Sequence, residues 1–287
     1  MKAIVFINSK SGTARAHDEI RQYFADYGLS PEFVDIGLLD KSRDKIAESD
    51  LVVAAGGDGT LSSVANAIFR SGSDAVMAVL PLGTCNDFAK TVGVSTDLED
   101  AIKVAVDGKV KRIDLIRSGD RTILNQANGG LSGEIAQEVE EQTGKKGVLS
   151  YWRASIEVLR DLPRYNVTLS LDGEAVDLRL LNLTVANARY SGGGIPLAPL
   201  AQLDDGLMDI VGIKDQQLLS LAPVLPRILT GSHLDSEAVF YKQASSVEIH
   251  SEPVMPFSVD GELDEFRTER FEVVREALAI KVGDEVE

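Results

Sequence analysis

The stretch from Leu51 to Ile68 constrains the fold more than any other. An unbroken apolar run, "LVVAA" (51–55), leads straight into Gly56-Gly57-Asp58-Gly59-Thr60, after which Leu61, Val64, Ala65 and Ile68 recur at helical spacing. A strand that is apolar at every position is buried on both faces, the condition of a parallel sheet covered by helices. The same alternation fills the first 117 residues. Strands are expected at 3–7, 32–36, 75–80 and 110–116. Between them, Ile20, Phe24 and Tyr27 mark a helix ending at Gly28, "NDFAKTVG" a short one, and Leu98, Ala101, Ile102 and Ala105 one closed by Gly108. The pattern predicts an α/β domain with a mostly parallel sheet in three layers. Such sheets bind ligands beyond the carboxyl ends of their strands, here the loops after residues 7, 55 and 80.

From about residue 118 the texture changes. Two helical stretches (131–142 and 147–162) precede short alternating segments such as "YNVTLSL", "LMDIVGI", "SSVEIHS" and "RFEVVRE", interrupted by a helix at 216–230. Regularly spaced short strands predict a β-rich, sandwich-like second domain. The division is 1–117 and 118–287, with a cleft between, and the last strand is free to return toward the first domain.

Composition narrows the partners. The chain carries 45 acids against 29 bases, a net charge of −16. That surface repels a phosphate backbone, so nucleic acid is excluded as a partner, and it disfavours strong docking on anionic lipid. Local basic spots remain at Lys109, Lys111 and Arg112, and at Lys145 and Lys146. A single cysteine, Cys85, leaves no internal disulfide framework and fits a reducing compartment. No apolar run approaches the roughly 18 residues of a membrane span, and the first residues lack a signal-peptide core. The expectation is a cytoplasmic protein.

Gly56 to Thr60 sits between a buried strand and a helix, where unpaired backbone N–H groups and the positive helix end point outward together. That is an anion site. Asp58 suits such a loop if it faces a cation such as Mg²⁺; the plainer reading is a tight turn with Asp58 as helix cap. Asn8-Ser9-Lys10-Ser11-Gly12 after the first strand, and Gly83, Thr84, Asn86 and Asp87 after the fourth, add polar loops on the same edge. No Walker A sequence occurs. "DGE" appears twice, at 172–174 and 260–262, and Asp-Gly is first of all a hairpin turn. The stretch 151–165 carries an apolar stripe that reads as core or as an interfacial face. His17, His233 and His250 have no metal-ligand spacing, and Cys85 reads as an inert thiol.

Taken together, "NSKSG", "GGDGTLSSVAN", "LPLGTCNDFA", "RIDLI", "VANARYSGGGIPLAPLAQLDDGLMDIV" and "VDGE" resemble the soluble diacylglycerol kinase catalytic family, bacterial lipid kinases and sphingosine kinases included. The resemblance covers nearly the whole chain. It implies an ATP-dependent lipid kinase, transferring a phosphoryl group to a hydroxyl of diacylglycerol or a related lipid in the cleft, with transient membrane-surface contact. Asn8, Ser9, Lys10, Ser11, Gly12, Gly56, Gly57, Asp58, Gly59, Thr60, Leu61, Ser62 and Thr84 match the ATP cradle. Asp58 and Asp114 match an acid–water–Mg²⁺ network, and Glu262 the catalytic base. Asp205, with the carbonyls of Gln202 and Leu207, matches a second, structural Mg²⁺ site. Family members often follow GGDGT with Asn and Glu, where this chain has Ser62 and Ser63; Ser62 still offers a hydroxyl. The alternatives are an NAD kinase, which carries a different asparagine-glycine pattern after the fourth strand, and a nucleotide-gated lipid-binding regulator with little turnover. Oligomeric state stays open, a homodimer included.

Overall fold

The computed structural model describes residues 1–8, 14–130, 164–216, 221 and 223–283. The expected helices at 131–142 and 147–162, most of the 151–165 stripe, Lys145, Lys146 and the cradle positions Ser9 to Gly12 lie outside the described residues.

The chain begins β1 (Ala3–Ile7), α1 (Ala14–Asp26) and β2 (Glu32–Asp35). A 3₁₀ segment (Ile36–Ser42) and α2 (Arg43–Ala47) lead to β3 (Leu51–Gly56), α3 (Asp58–Ser71) and β4 (Val76–Pro81). Next come α4 (Asp87–Thr91), α5 (Leu98–Asp107) and β5 (Lys109–Ser118). β2, β1, β3 and β4 pair in parallel in that spatial order. Every residue of β1 and β3 is buried, as their unbroken apolar runs require. The order reverses between β1 and β3, so the crevice for a ligand opens beyond Ile7 and Gly56. α3 buries Leu61, Val64, Ala65 and Ile68 and stops at Gly72, whose left-handed φ of 68° is the usual helix-ending conformation. α5 starts where Asp97 accepts from the backbone N–H groups of Glu99 and Asp100 at 3.0 and 3.1 Å.

The second half is strand on strand: β6 (Arg121–Ile123), β7 (Gln126–Gly130), β8 (Tyr165–Leu171), β9 (Glu174–Ala186) and β10 (Met208–Lys214). After α6 (Val224–Thr230) come β11 (Val239–Ala244), β12 (Ser246–Val259) and β13 (Glu262–Val282). α6 is the described part of the helix expected at 216–230. β8 alternates buried and exposed positions along "YNVTLSL", the half-buried pattern of an antiparallel strand. β5 to β13 enclose a separate core around Tyr165, Leu183, Phe257 and Phe271. β13 belongs to both halves. Its first part pairs with β12, its last part pairs antiparallel with β5, and Ile280 sits parallel to Met77 of β4.

Candidate active site

The crevice is built from α3 upward. Gly57 precedes the helix without a side-chain cap, and its carbonyl takes the N–H groups of Thr60 at 2.9 Å and Leu61 at 3.1 Å, which leaves those of Asp58 and Gly59 without an acceptor within the helix. Gly57 and Gly83 are glycines because two loops touch: a Cβ on Gly83 would lie 2.4 Å from the Gly57 Cα. Gly59 differs, being exposed with nothing within 4 Å of where a Cβ would stand. Asp58 accepts from the backbone N–H of Phe88 at 3.0 Å and thereby caps α4 rather than its own helix. Leu61 is fully buried, and its N–H donates to the Gly57 carbonyl. Thr60 is half-buried and Thr84 exposed.

Opposite the helix stands the β12–β13 hairpin. Asp260 and Gly261 both have positive φ, and Val259 pairs with Glu262, which makes a two-residue turn. Asp260 does more than turn the chain. One carboxylate oxygen accepts from the Ser62 hydroxyl at 2.6 Å and the Leu124 N–H at 2.8 Å, and the other from the N–H groups of Asn125 at 2.9 Å and Gln126 at 3.0 Å. Burial pushes the Asp260 carboxyl up, against the pull of these four donors. The Ser62 hydroxyl expected to serve a nucleotide is therefore committed to Asp260. Glu262, next to this anchor, is exposed and lines a cleft of about 380 Å³ with Gly59, Ser63, Asn66, Arg70 and Arg121. Arg70 is held in place by two bonds to the Asp120 carbonyl, at 3.3 and 2.7 Å. The other tripeptide, Asp172-Gly173-Glu174, makes an exposed hairpin that anchors Ser245 and Ser246.

Asp87, expected only as part of a polar loop, has a structural role. It is buried, and its carboxylate accepts from the N–H groups of Gly193 at 3.0 Å and Gly194 at 2.5 Å. Burial, and to a lesser degree the Asp58 charge, push its carboxyl up. Lys90, one turn on, lies 4.1 Å over the Tyr190 ring. Residues 188–195 thus form a strap that ties the second half to the loop after β4. Its glycines 192 to 194 all have positive φ, a path that other residues take only with strain.

Asp58 and Asp114 are not brought together. β5 runs against the parallel strands, with Lys111 opposite Ile280 and Ile280 opposite Met77. Asp114 therefore lies toward the amino ends of the parallel strands, whereas Asp58 follows Gly56, which stands opposite Pro81. Standing beside Asp58 would require β5 to continue the parallel run, and β5 does not. Instead Asp114 is buried, and accepts from the N–H groups of Gly206 and Glu276, both at 2.7 Å, while its own N–H donates to the Leu203 carbonyl at 2.6 Å. It is thus grouped with Gln202, Asp205 and Leu207. Asp205 accepts from the Leu207 N–H at 2.9 Å. Burial first, then the neighbouring acids Asp114 and Asp204, push the Asp205 carboxyl up. Asp209, close by, is pushed up by burial. Among the described residues no group of three or more His, Cys, Asp or Glu side chains is placed to hold a metal ion. Nor is any helix among them long and apolar enough to cross a membrane.

Residues 2–118 match the diacylglycerol kinase catalytic domain, and residues 125–282 match the YegS C-terminal NAD kinase beta sandwich-like domain. A diacylglycerol kinase of Staphylococcus epidermidis (strain RP62A) is 32% identical over 222 residues, 75% of this chain and 69% of that protein. The diacylglycerol kinase of Bacillus subtilis (strain 168) is 30% identical over 221 residues, 76% of this chain and 72% of its own. A crystal structure of a diacylglycerol kinase from Bacillus anthracis str. Sterne superposes on the whole chain, covering 98% of that structure, with a TM-score of 0.75 at 20% identity. A candidate diacylglycerol kinase from the same strain gives 0.85 at 23%, over the whole chain and 96% of its own. Those two likenesses are of fold alone. The two domain matches, taken with relatives of this identity and coverage, place the chain in the diacylglycerol kinase family, as an N-terminal catalytic domain joined to a C-terminal β-sandwich-like domain.

Proposed function

We propose that this kinase transfers the γ-phosphoryl group of ATP to a hydroxyl of diacylglycerol or a related lipid. One observation carries the reading: Asp260 fixes the hairpin to Ser62 of α3, so that Glu262 and Gly59 line one cleft. The open N-terminal turn of α3 and the bare face of Gly59 suit phosphate, which prefers a backbone it can approach closely. Mg²⁺ accompanying the nucleotide supplies charge neutralisation on the phosphates, with Asp58 the acid nearest that turn. Phosphoryl transfer asks little covalent chemistry of the protein, so positioning and charge dominate. Glu262 accepts the proton of the acceptor hydroxyl as the new P–O bond forms, worth typically about 10²–10⁴-fold. Asn8, Ser9, Lys10, Ser11, Gly12, Gly57, Thr60 and Thr84 complete the nucleotide site in this reading.

Asp205, with the carbonyls of Gln202 and Leu207, fits a structural Mg²⁺, because an acid crowded by Asp114 and Asp204 gains from a hard cation. Asp114 acts there, ordering the loop, rather than beside Asp58. The halves are taken as residues 1–117 and 118–287. Right-handed crossovers put α1 on one face of the first sheet and α2 with α3 on the other, which makes three layers. The protein works in the cytoplasm and meets its lipid at the membrane surface. Radiolabelled ATP offered with a panel of lipids, and with NAD, tests the reading. Label should move to a lipid hydroxyl, and Glu262→Gln should lower kcat with little change in KM for ATP, while Glu174→Gln behaves as wild type. Transfer to NAD alone, or loss of turnover in Glu174→Gln instead, rejects it.

A further inference from the structure

The contacts around the crevice close into a ring. Asp58 of α3 holds Phe88 of α4, Asp87 holds Gly193 and Gly194 of the strap, and Asp260 holds Ser62, one turn from Asp58 on the same helix. The link between strap and hairpin is Gln126. Its side-chain N–H donates to the carbonyls of Ala188 at 2.7 Å and Tyr190 at 3.4 Å. Its backbone N–H donates to the Asp260 carboxylate, and its carbonyl accepts from the Asp260 N–H at 2.9 Å.

Gln126 is 2% exposed, and its side-chain oxygen is buried with no hydrogen-bond partner among the described residues. A buried acceptor left unpaired works against stability. The amide is thus present for its two donated bonds. We propose that Gln126 is a positioning residue for phosphoryl transfer, holding the turn that carries Asp260, and through it Glu262, against the strap. The inference rests on Glu262 being the base. Gln126 touches neither nucleotide nor acceptor in this role; it sets where the base stands, and a displacement of about 1 Å at such a group can cost as much as 10²-fold.

The test is a double-mutant cycle of Gln126→Met, Glu262→Gln and the pair. Methionine matches the length of glutamine and keeps the backbone bonds to Asp260 while removing the amide. Gln126→Met should lose about tenfold or more in kcat with KM for ATP unchanged. The pair should be no slower than Glu262→Gln alone. Additive losses overturn the positioning role and leave the base standing; wild-type turnover in Glu262→Gln removes the base and, with it, the positioning role. Gln126→Glu supplies an independent readout. Its protonated carboxyl can donate to the Ala188 carbonyl and its charged form cannot, and burial raises its pKa. Its kcat relative to wild type should therefore rise as pH falls from about 8 to about 6, at constant folded fraction, while Gln126→Met stays low throughout. A flat ratio overturns the proposal.

Discussion

Gly59 and Gly83 read alike in the sequence, each a glycine in a polar loop after a buried strand, yet they are glycines for different reasons. A Cβ on Gly83 would strike Gly57, while one on Gly59 would meet nothing. In the first turn of a helix, with φ outside the left-handed region, alanine is the better residue by a few tenths to about 1 kcal/mol. Gly59 thus costs stability, and in the proposed cradle the bare backbone is what lets phosphate approach. Gly59→Ala should raise thermal stability while raising KM for ATP several-fold. Melting curves and steady-state kinetics check it, and an unchanged KM in the stabilised variant takes Gly59 out of the cradle. The strand, the turn and the helix around it were legible because they depend on neighbours in the chain. The commitment of Ser62 to Asp260 was not, because the two residues stand 198 positions apart. Asp87 was missed for the same reason: its partners, Gly193 and Gly194, lie more than a hundred positions away.

Among the elements, the two Asp-Gly hairpins show how one local rule serves two ends. Both turns have positive φ at aspartate and glycine, and both aspartates gather donors from a neighbouring loop. What separates them is burial, which is set by what packs alongside. Asp172 is exposed, so water replaces its partners when the carboxylate is lost. Asp260 holds four donors at the meeting of α3, β7 and β12, and truncation strands them. Asp260→Ala should therefore cost on the order of 3 kcal/mol, and Asp172→Ala about 1 kcal/mol or less. Denaturant unfolding of both variants decides it, and equal losses would mean that Asp260 is not the anchor described. β5 is the counterpart at which periodicity fell short. Its apolar positions mark a strand correctly, but strand direction depends on the partner, and β13, which pairs with it, arrives from the far end of the chain.

On the scale of the whole molecule, net charge and buried acids act together. Burial raises the carboxyls of Asp87, Asp205, Asp209 and Asp260. Two surface acids are lowered, Glu48 by its bond to Lys2 and Glu272 by its bond to Arg117, but both are solvated and weigh little. An acid with a raised pKa binds its proton more tightly folded than unfolded. Between the unfolded value, near 3.9, and the folded one, the native state carries more protons, so stability falls as pH rises through that interval. Self-repulsion among the excess acids of a chain at −16 pushes the same way. The melting temperature should therefore decline as pH rises from about 4 to about 6 at fixed ionic strength. A cation that neutralises the group around Asp205 should reverse part of that decline. Protons compete with metal for carboxylates, so Mg²⁺ should raise the melting temperature more at the higher pH. Asp205→Asn should abolish most of this pH-dependent increment, whereas nonspecific screening would survive the substitution and be reproduced by a monovalent salt of equal ionic strength. Scanning calorimetry of the two proteins, with and without Mg²⁺ at both pH values, separates these cases; an increment equal in both proteins removes the metal from the loop around Asp205.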